Sequence, residues 1–185
     1  MRPMIRLLTG LLILVVLMTV SGCTTVDQAM QQQSAPQPVH DDRPMPTWNR
    51  LMKATLPVVR EALEPGEAPF YPRAFALSRR GGVRSVHISP RAGADHEERL
   101  ELLFNSLEVM LSGDDIVAFV VYATGQGTLL NSSDRNDMVV AHMEHYSGKA
   151  VLRRLSYRID NGSVTFGKED VNGSKALVMD GNGQP

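Results

Sequence analysis

The 185-residue chain has one cysteine, Cys23, so no disulfide can close within it and no cysteine-based metal site can form. An excess of one charge is also missing. Nineteen Lys+Arg stand against 20 Asp+Glu, a formal net charge of −1, too balanced for the electrostatic footprint of a nucleic-acid-binding protein. The apolar run from Leu7 to Val20 is interrupted by Thr9, Gly10 and Thr19, and it falls short of the roughly 20 residues a membrane-spanning helix needs. Several catalytic signatures are absent. There is no G-x-S-x-G elbow and no i, i+4 histidine pair of the zinc-protease kind. Gly125-Gln126-Gly127 reaches Leu130 where a dinucleotide fingerprint needs its third glycine. No repeat and no second domain are visible. Stability must therefore come from a packed core, and a domain of about 130 residues can bury close to two-thirds of its surface.

What is present begins with Arg2 and Arg6, a short basic start with no acid near it, followed by the apolar run and the small residues Ser21 and Gly22. This order describes a secretory signal. Val20-Ser21-Gly22-Cys23 resembles the lipobox of bacterial lipoproteins. The resemblance implies cleavage before Cys23, acylation of its thiol (palmitate among the chains) and a membrane anchor. With three chains expected there, each buried CH₂ contributing about 0.8 kcal/mol, the anchor should be stable. Thr24, not aspartate, follows the cysteine, so by the same resemblance the protein should sit at the periplasmic face of the outer membrane of a Gram-negative host. Removing residues 1–22 takes away two basic and no acidic residues, leaving 17 against 20 and a net charge of −3.

Residues 23–46 read as the lipidated N-terminus and a disordered tether. They hold Gln31-Gln32-Gln33, Pro36, Pro38, Pro44 and Pro46 and few large apolar residues, a composition that cannot offset ordering entropy. Its role would be to lift the domain off the membrane. Residues 47–179 read as one domain and 180–185 as a flexible tail. Trp48–Leu63 has helical apolar spacing, broken or kinked near Pro57, with Thr55 placed to cap a second piece and Glu64-Pro65-Gly66 as the stop. Arg73–Arg79 and Val83–Ser89 predict a hairpin turning at Arg80-Gly81-Gly82. Asp95–Leu111 predicts a second helix: Asp95 and Glu98 have capping-box spacing, and Leu100, Leu103, Phe104, Leu107, Met110 and Leu111 share one face. The continuous apolar run Ile116–Thr124 marks a central strand buried on both faces. A polar loop over Gly125–Asn136 follows, then strands over Asp137–His145, Ala150–Ile159 and Ser163–Lys168. The second pair turns at Asn161-Gly162, and Asn172-Gly173 would turn into a last edge strand, Lys175–Met179. The fold class is thus α+β: a single domain with a mostly antiparallel sheet flanked by two helices. Its element order resembles profilin-like and roadblock-like folds, a likeness that would not fix function.

Three places carry candidate chemistry. On a strand, His142 and Glu144 face one way and His145 the other, so His142 and Glu144, with His87 as a third ligand, would make a metal site. The plainer alternative is the polar end of a central strand meeting Arg153 or Arg154. Between Ala68 and Ala94 stand Arg73, Arg79, Arg80, Arg84 and Arg91 and no acid. Arg79, Arg80 and Arg84 on the hairpin could bind phosphate groups or an acidic partner, or form a solvated face; Arg153, Arg154 and Arg158 share that ambiguity. Ser132, Ser133 and Asp134 read as loop residues, and Leu129 and Leu130 as either a partner contact or core. The resulting expectation is a lipid-anchored periplasmic protein acting as a non-enzymatic interaction or assembly module, with no cofactor. Its partners would be the membrane through Cys23 and an envelope protein, and no nucleic acid. The alternatives are an envelope-ligand-binding module using the arginine-rich hairpin, or a metal-dependent hydrolase.

Overall fold

The computed structural model describes residues 43–64, 69–113, 115–129 and 135–179. The leader, Cys23, the tether up to residue 42, the Pro65-Gly66 stop, Leu130, Ser132, Ser133, Asp134 and the tail from residue 180 lie outside them. Among the described residues no helix is long and apolar enough to cross a membrane.

The domain is α+β, with two helices and a six-stranded antiparallel sheet. In chain order the elements are α1 (Pro44–Leu63), β1 (Arg73–Ser78), β2 (Val83–Val86), α2 (His96–Gly113), β3 (Ile116–Thr128), β4 (Arg135–His145), β5 (Ala150–Asp160) and β6 (Ser163–Ser174). The spatial order is β2-β1-β3-β4-β5-β6, so β3 and β4 form the centre. All seven residues from Ile116 to Tyr122 are buried, which is why that stretch is apolar without alternation.

Alternation appears instead in where each residue points. Phe75, Leu77, Val120, Tyr122, Val139, Ala141, Met143 and Leu155 face α1, where they meet Trp48, Leu51, Met52, Val59 and Leu63. Ala74, Ala76, Val86, Phe119 and Val121 face the other way, toward Leu103 and Leu107 of α2. The small Ala74 and Ala76 under α2, opposite the larger Phe75 and Leu77 under α1, fit layers of unequal depth on the two faces.

α1 starts at Pro44, inside the stretch read as tether, and runs unbroken through Pro57. Proline is tolerated in a first turn because those N–H groups have no intrahelical partner, which accounts for Pro44 and Pro46. Pro57 is exposed, so the carbonyl left without its usual donor can turn to water, and burial of the apolar stripe on the opposite side holds the helix together. α2 begins as predicted: the Asp95 carboxylate accepts the Glu98 N–H at 2.9 Å.

The two Asn-Gly dipeptides behave differently. Asn161 (φ 51°) and Gly162 (φ 82°) both take positive φ and close the β5–β6 hairpin as a two-residue turn of that kind requires. Asn172-Gly173 does not turn. Asn172 pairs with Leu152 and Gly173 with Val151, because β5 still offers an open ladder there and backbone pairing prevails over turn preference. The expected last strand Lys175–Met179 is correspondingly missing; that segment is irregular. The expected loop at Gly125 is likewise strand, and the β3–β4 ladder continues to the pair Thr128–Arg135. A Cβ on Gly127 would lie 2.5 Å from the Met138 methyl, so a glycine lets Met138 lie across the neighbouring strand. Leu129 is buried.

Candidate functional site

β4 is the strand on which the sequence concentrates its chemistry. His142, Glu144 and His145 are all buried although titratable, and Glu144 and His145 are fully so. As alternation requires, His142 and Glu144 lie on the α2 face, where the His142 ring packs against Phe104 (5.9 Å between centroids) and Phe119 (6.5 Å). His145 lies on the α1 side, with its Nδ1 accepting the Ser147 N–H at 3.2 Å and its ring edge-on to Trp48 at 6.3 Å.

The Glu144 carboxylate accepts four hydrogen bonds. Oε1 accepts the His142 Nε2–H at 2.7 Å and the Leu177 N–H at 2.7 Å. Oε2 accepts the Val178 N–H at 3.1 Å and the Met179 N–H at 2.7 Å. Four donors fill the roughly four lone-pair positions a carboxylate offers. Burial pushes the Glu144 carboxyl up. The His142 bond and the three backbone N–H groups outweigh it and hold the group below the ordinary carboxylate value. Three consecutive amides on one carboxylate fix the segment 177–179 across the sheet, where Met179 enters the apolar layer with Leu103, Leu107 and Phe119. Neither Arg153 nor Arg154 is the partner of this pair. Arg154 makes two bonds to Asp170 (2.9 and 3.0 Å), and Arg153 bonds Glu169 on the same neighbouring strand.

The third expected ligand, His87, is not brought to this pair. It is exposed just beyond β2. The register runs Val86–Ala74–Val121–His142 across β2, β1, β3 and β4, three strand spacings or about 14 Å. Among the described residues no group of three His, Cys, Asp or Glu converges to hold a metal ion. A cation at Glu144 would also have to displace donors that already fill it.

The arginines of the hairpin separate into different environments. At the turn, Arg79 Nε donates to Asp115 Oδ1 at 2.9 Å, the guanidinium lies 5.3 Å from the Tyr146 ring centroid, and the Arg79 N–H donates to the Asp115 carbonyl. The bond to Asp115 raises the Arg79 pKa above its ordinary value. From α1, Arg50 Nη2 reaches the Gly81 carbonyl at 3.3 Å. Arg80 is exposed on the turn, and Arg84 is exposed on β2 opposite Ala76. Arg91 pairs with Glu98. Arg79 is therefore tied into the framework.

At the other end of the same hairpin the two chains diverge after the last registered pair, Ala74–Val86. A cleft opens there between residues 71–73 and 85–88, with Leu103 of α2 beneath. Pro72, Val86 and Leu103 are buried, while Tyr71, Arg73, Ser85 and His87 are exposed. This cleft was not legible in the sequence, because it depends on where two strands stop pairing. The lack of acids from Ala68 to Ala94 was its one available sign. Comparison with known proteins returned no matching family model, curated protein or solved structure, so function has to be read from the residues themselves.

Proposed function

We propose that the chain is a lipid-anchored periplasmic protein of the bacterial envelope that works as a non-enzymatic interaction or assembly module. Cys23, behind its lipobox-like stretch, would carry the anchor, and the polar, proline-rich segment after it would give the domain reach from the outer membrane. The observation that carries the non-enzymatic reading is the bonding of Glu144. The most deeply buried carboxylate among the described residues spends both oxygens on His142 and on the chain's own backbone, as a residue that builds the fold does. A general acid or base must keep a lone pair or a proton within reach of substrate. α1 covers one face of the sheet and α2 the β1–β3 part of the other, which leaves the hairpin, the helix exteriors, the sheet edges and the β5–β6 part of that second face as surfaces for a partner.

The test is crosslinking of the full-length protein in cells, followed by mass spectrometry, with Cys23→Ala as the unanchored control. The expected result is one dominant envelope-protein partner whose yield falls in the control. Background labelling alone in both strains would overturn the assembly reading.

A further inference from the structure

We infer that the cleft between the diverging ends of β1 and β2 binds a phosphate group, with Arg73 and His87 as its principal donors. This goes beyond the assembly reading and stands independently of it. The cleft has an apolar floor of Pro72, Val86 and Leu103 and a polar rim of Tyr71, Arg73, Ser85 and His87, the composition of a small recognition site. Every polar side chain on that rim can donate a hydrogen bond, and no carboxylate lines the cleft among the described residues. Arg99, in the first turns of α2, lies 3.9 Å from the centroid of the Tyr71 ring and bonds the Ala94 carbonyl at 3.1 Å. It adds positive charge beside the cleft and fixes the ring that forms one wall.

The two ends of the hairpin differ in how their arginines are occupied. Arg79, at the turn, already has Asp115 and Tyr146. Arg73 makes no side-chain hydrogen bond or ion pair with another described residue, and the same holds for His87. Arg73 lines the cleft from one strand and Ser85 and His87 line it from the other, so a tetrahedral oxyanion there meets a guanidinium fork, an imidazole and a hydroxyl from two sides. The group could come from free phosphate or from a phospholipid headgroup, since both present the same oxygens.

The experiment is calorimetric titration of the full-length chain carrying Cys23→Ala, purified in a non-ionic detergent. Its probes are inorganic phosphate, the deacylated headgroup glycerophosphoglycerol, and succinate as a charge control. A rim this exposed should bind at about millimolar strength. Arg73→Gln should weaken binding at least roughly tenfold, the loss of one charge-assisted contact. His87→Ala should weaken it less, and Arg80→Gln, at the turn end, should leave it unchanged. Arg73→Lys keeps the charge without the fork, so its partial loss checks the same contact should the glutamine variant unfold. Stronger binding of inorganic phosphate assigns the site to a soluble ligand, and stronger binding of the headgroup assigns it to lipid. The inference is overturned if neither phosphate probe binds, if Arg73→Gln and Arg73→Lys both bind as well as the parent, if Arg80→Gln loses as much as Arg73→Gln, or if succinate binds equally well.

Discussion

The face of the sheet beneath α1 is closed by side chains, whereas the face beneath α2 is closed partly by main chain. Under α1, Trp48, Leu51, Met52, Val59 and Leu63 meet apolar residues of five strands, β1 and β3 to β6, and one buried hydroxyl pair, Thr55 with Tyr122 at 2.8 Å, joins helix to sheet. Under α2, Leu103 and Leu107 cover the β1 and β3 side. Beside them lies Met179 of the segment 177–179, which has no regular structure and is held by three amides on Glu144. Apolar burial is tolerant, because any residue of suitable volume contributes in proportion to the area it covers. A carboxylate saturated by four donors is not, since each donor depends on the same two oxygens. The α2 face should therefore be the more fragile under substitutions that change charge.

The largest effect should come from putting a charge where α2 seals the sheet. Leu107 has no exposed surface, and Leu107→Asp places an unpaired carboxylate in the apolar layer at a cost of several kcal/mol. With typical domains stable by about 5–15 kcal/mol, the variant should show no cooperative thermal transition by circular dichroism. An unchanged transition would remove α2 from the core.

Next in size is Glu144→Ala. It leaves three amides and the His142 ring without their acceptor at a position whose own side chain is fully buried, and breaking a buried charged network in this way costs about 3–5 kcal/mol. Chemical denaturation should report that loss, and hydrogen exchange should show Leu177, Val178 and Met179 losing protection first. Glu144→Gln keeps the shape and two acceptor positions, so it should cost less. The same carboxylate sets an acid limb. Its pKa is lowered in the folded state, so the unfolded chain binds the proton more readily in the window between the two values. Stability is fully present above the ordinary carboxylate value and is lost as pH falls through the folded one. Glu144→Gln should flatten that limb, and a variant with the parent's acid profile would show that the carboxylate does not hold the segment.

The two coverings also differ in how far they could be read from sequence. The α1 and α2 stripes, the buried run from Ile116 to Tyr122 and the opposite orientations of His142 and His145 follow from periods of 3.6 and 2. The β5–β6 turn follows from one dipeptide. The Glu144 cradle does not, because its donors are backbone N–H groups, and every non-proline residue carries one. A glutamate two residues after His142 in a strand otherwise rich in Met, Val and Ala signalled that something must satisfy it, but gave no sign of which segment. The continuation of β6 through Asn172-Gly173 was hidden for a related reason: ladder pairing depends on the length of β5, which lies more than ten residues away in sequence. His87 entered the metal expectation on residue type alone, and the strand order then placed it about 14 Å from His142.

The smallest expected effect sharpens the comparison from the α1 side. The Thr55 hydroxyl donates to the Leu51 carbonyl at 2.9 Å, so its oxygen must accept the Tyr122 O–H. Tyr122→Phe deletes a donor and leaves Thr55 with its own bond made, at about 0.5–1.5 kcal/mol. Thr55→Val strands the Tyr122 hydroxyl without its acceptor in a fully buried position, at about 1–3 kcal/mol. Urea unfolding of the two variants should reproduce that order, and the reverse order would mean that Thr55 is the donor. Burial, only partly opposed by the Thr55 bond, pushes the Tyr122 hydroxyl up to about 12. Above pH 10 the unfolded chain therefore releases a proton that the folded chain keeps, and stability declines as pH rises. Tyr122→Phe should reduce that alkaline decline to the part due to Tyr157, whose hydroxyl is also raised by burial and by Asp137, while leaving the acid limb of Glu144 intact, so the two faces can be titrated separately in one protein.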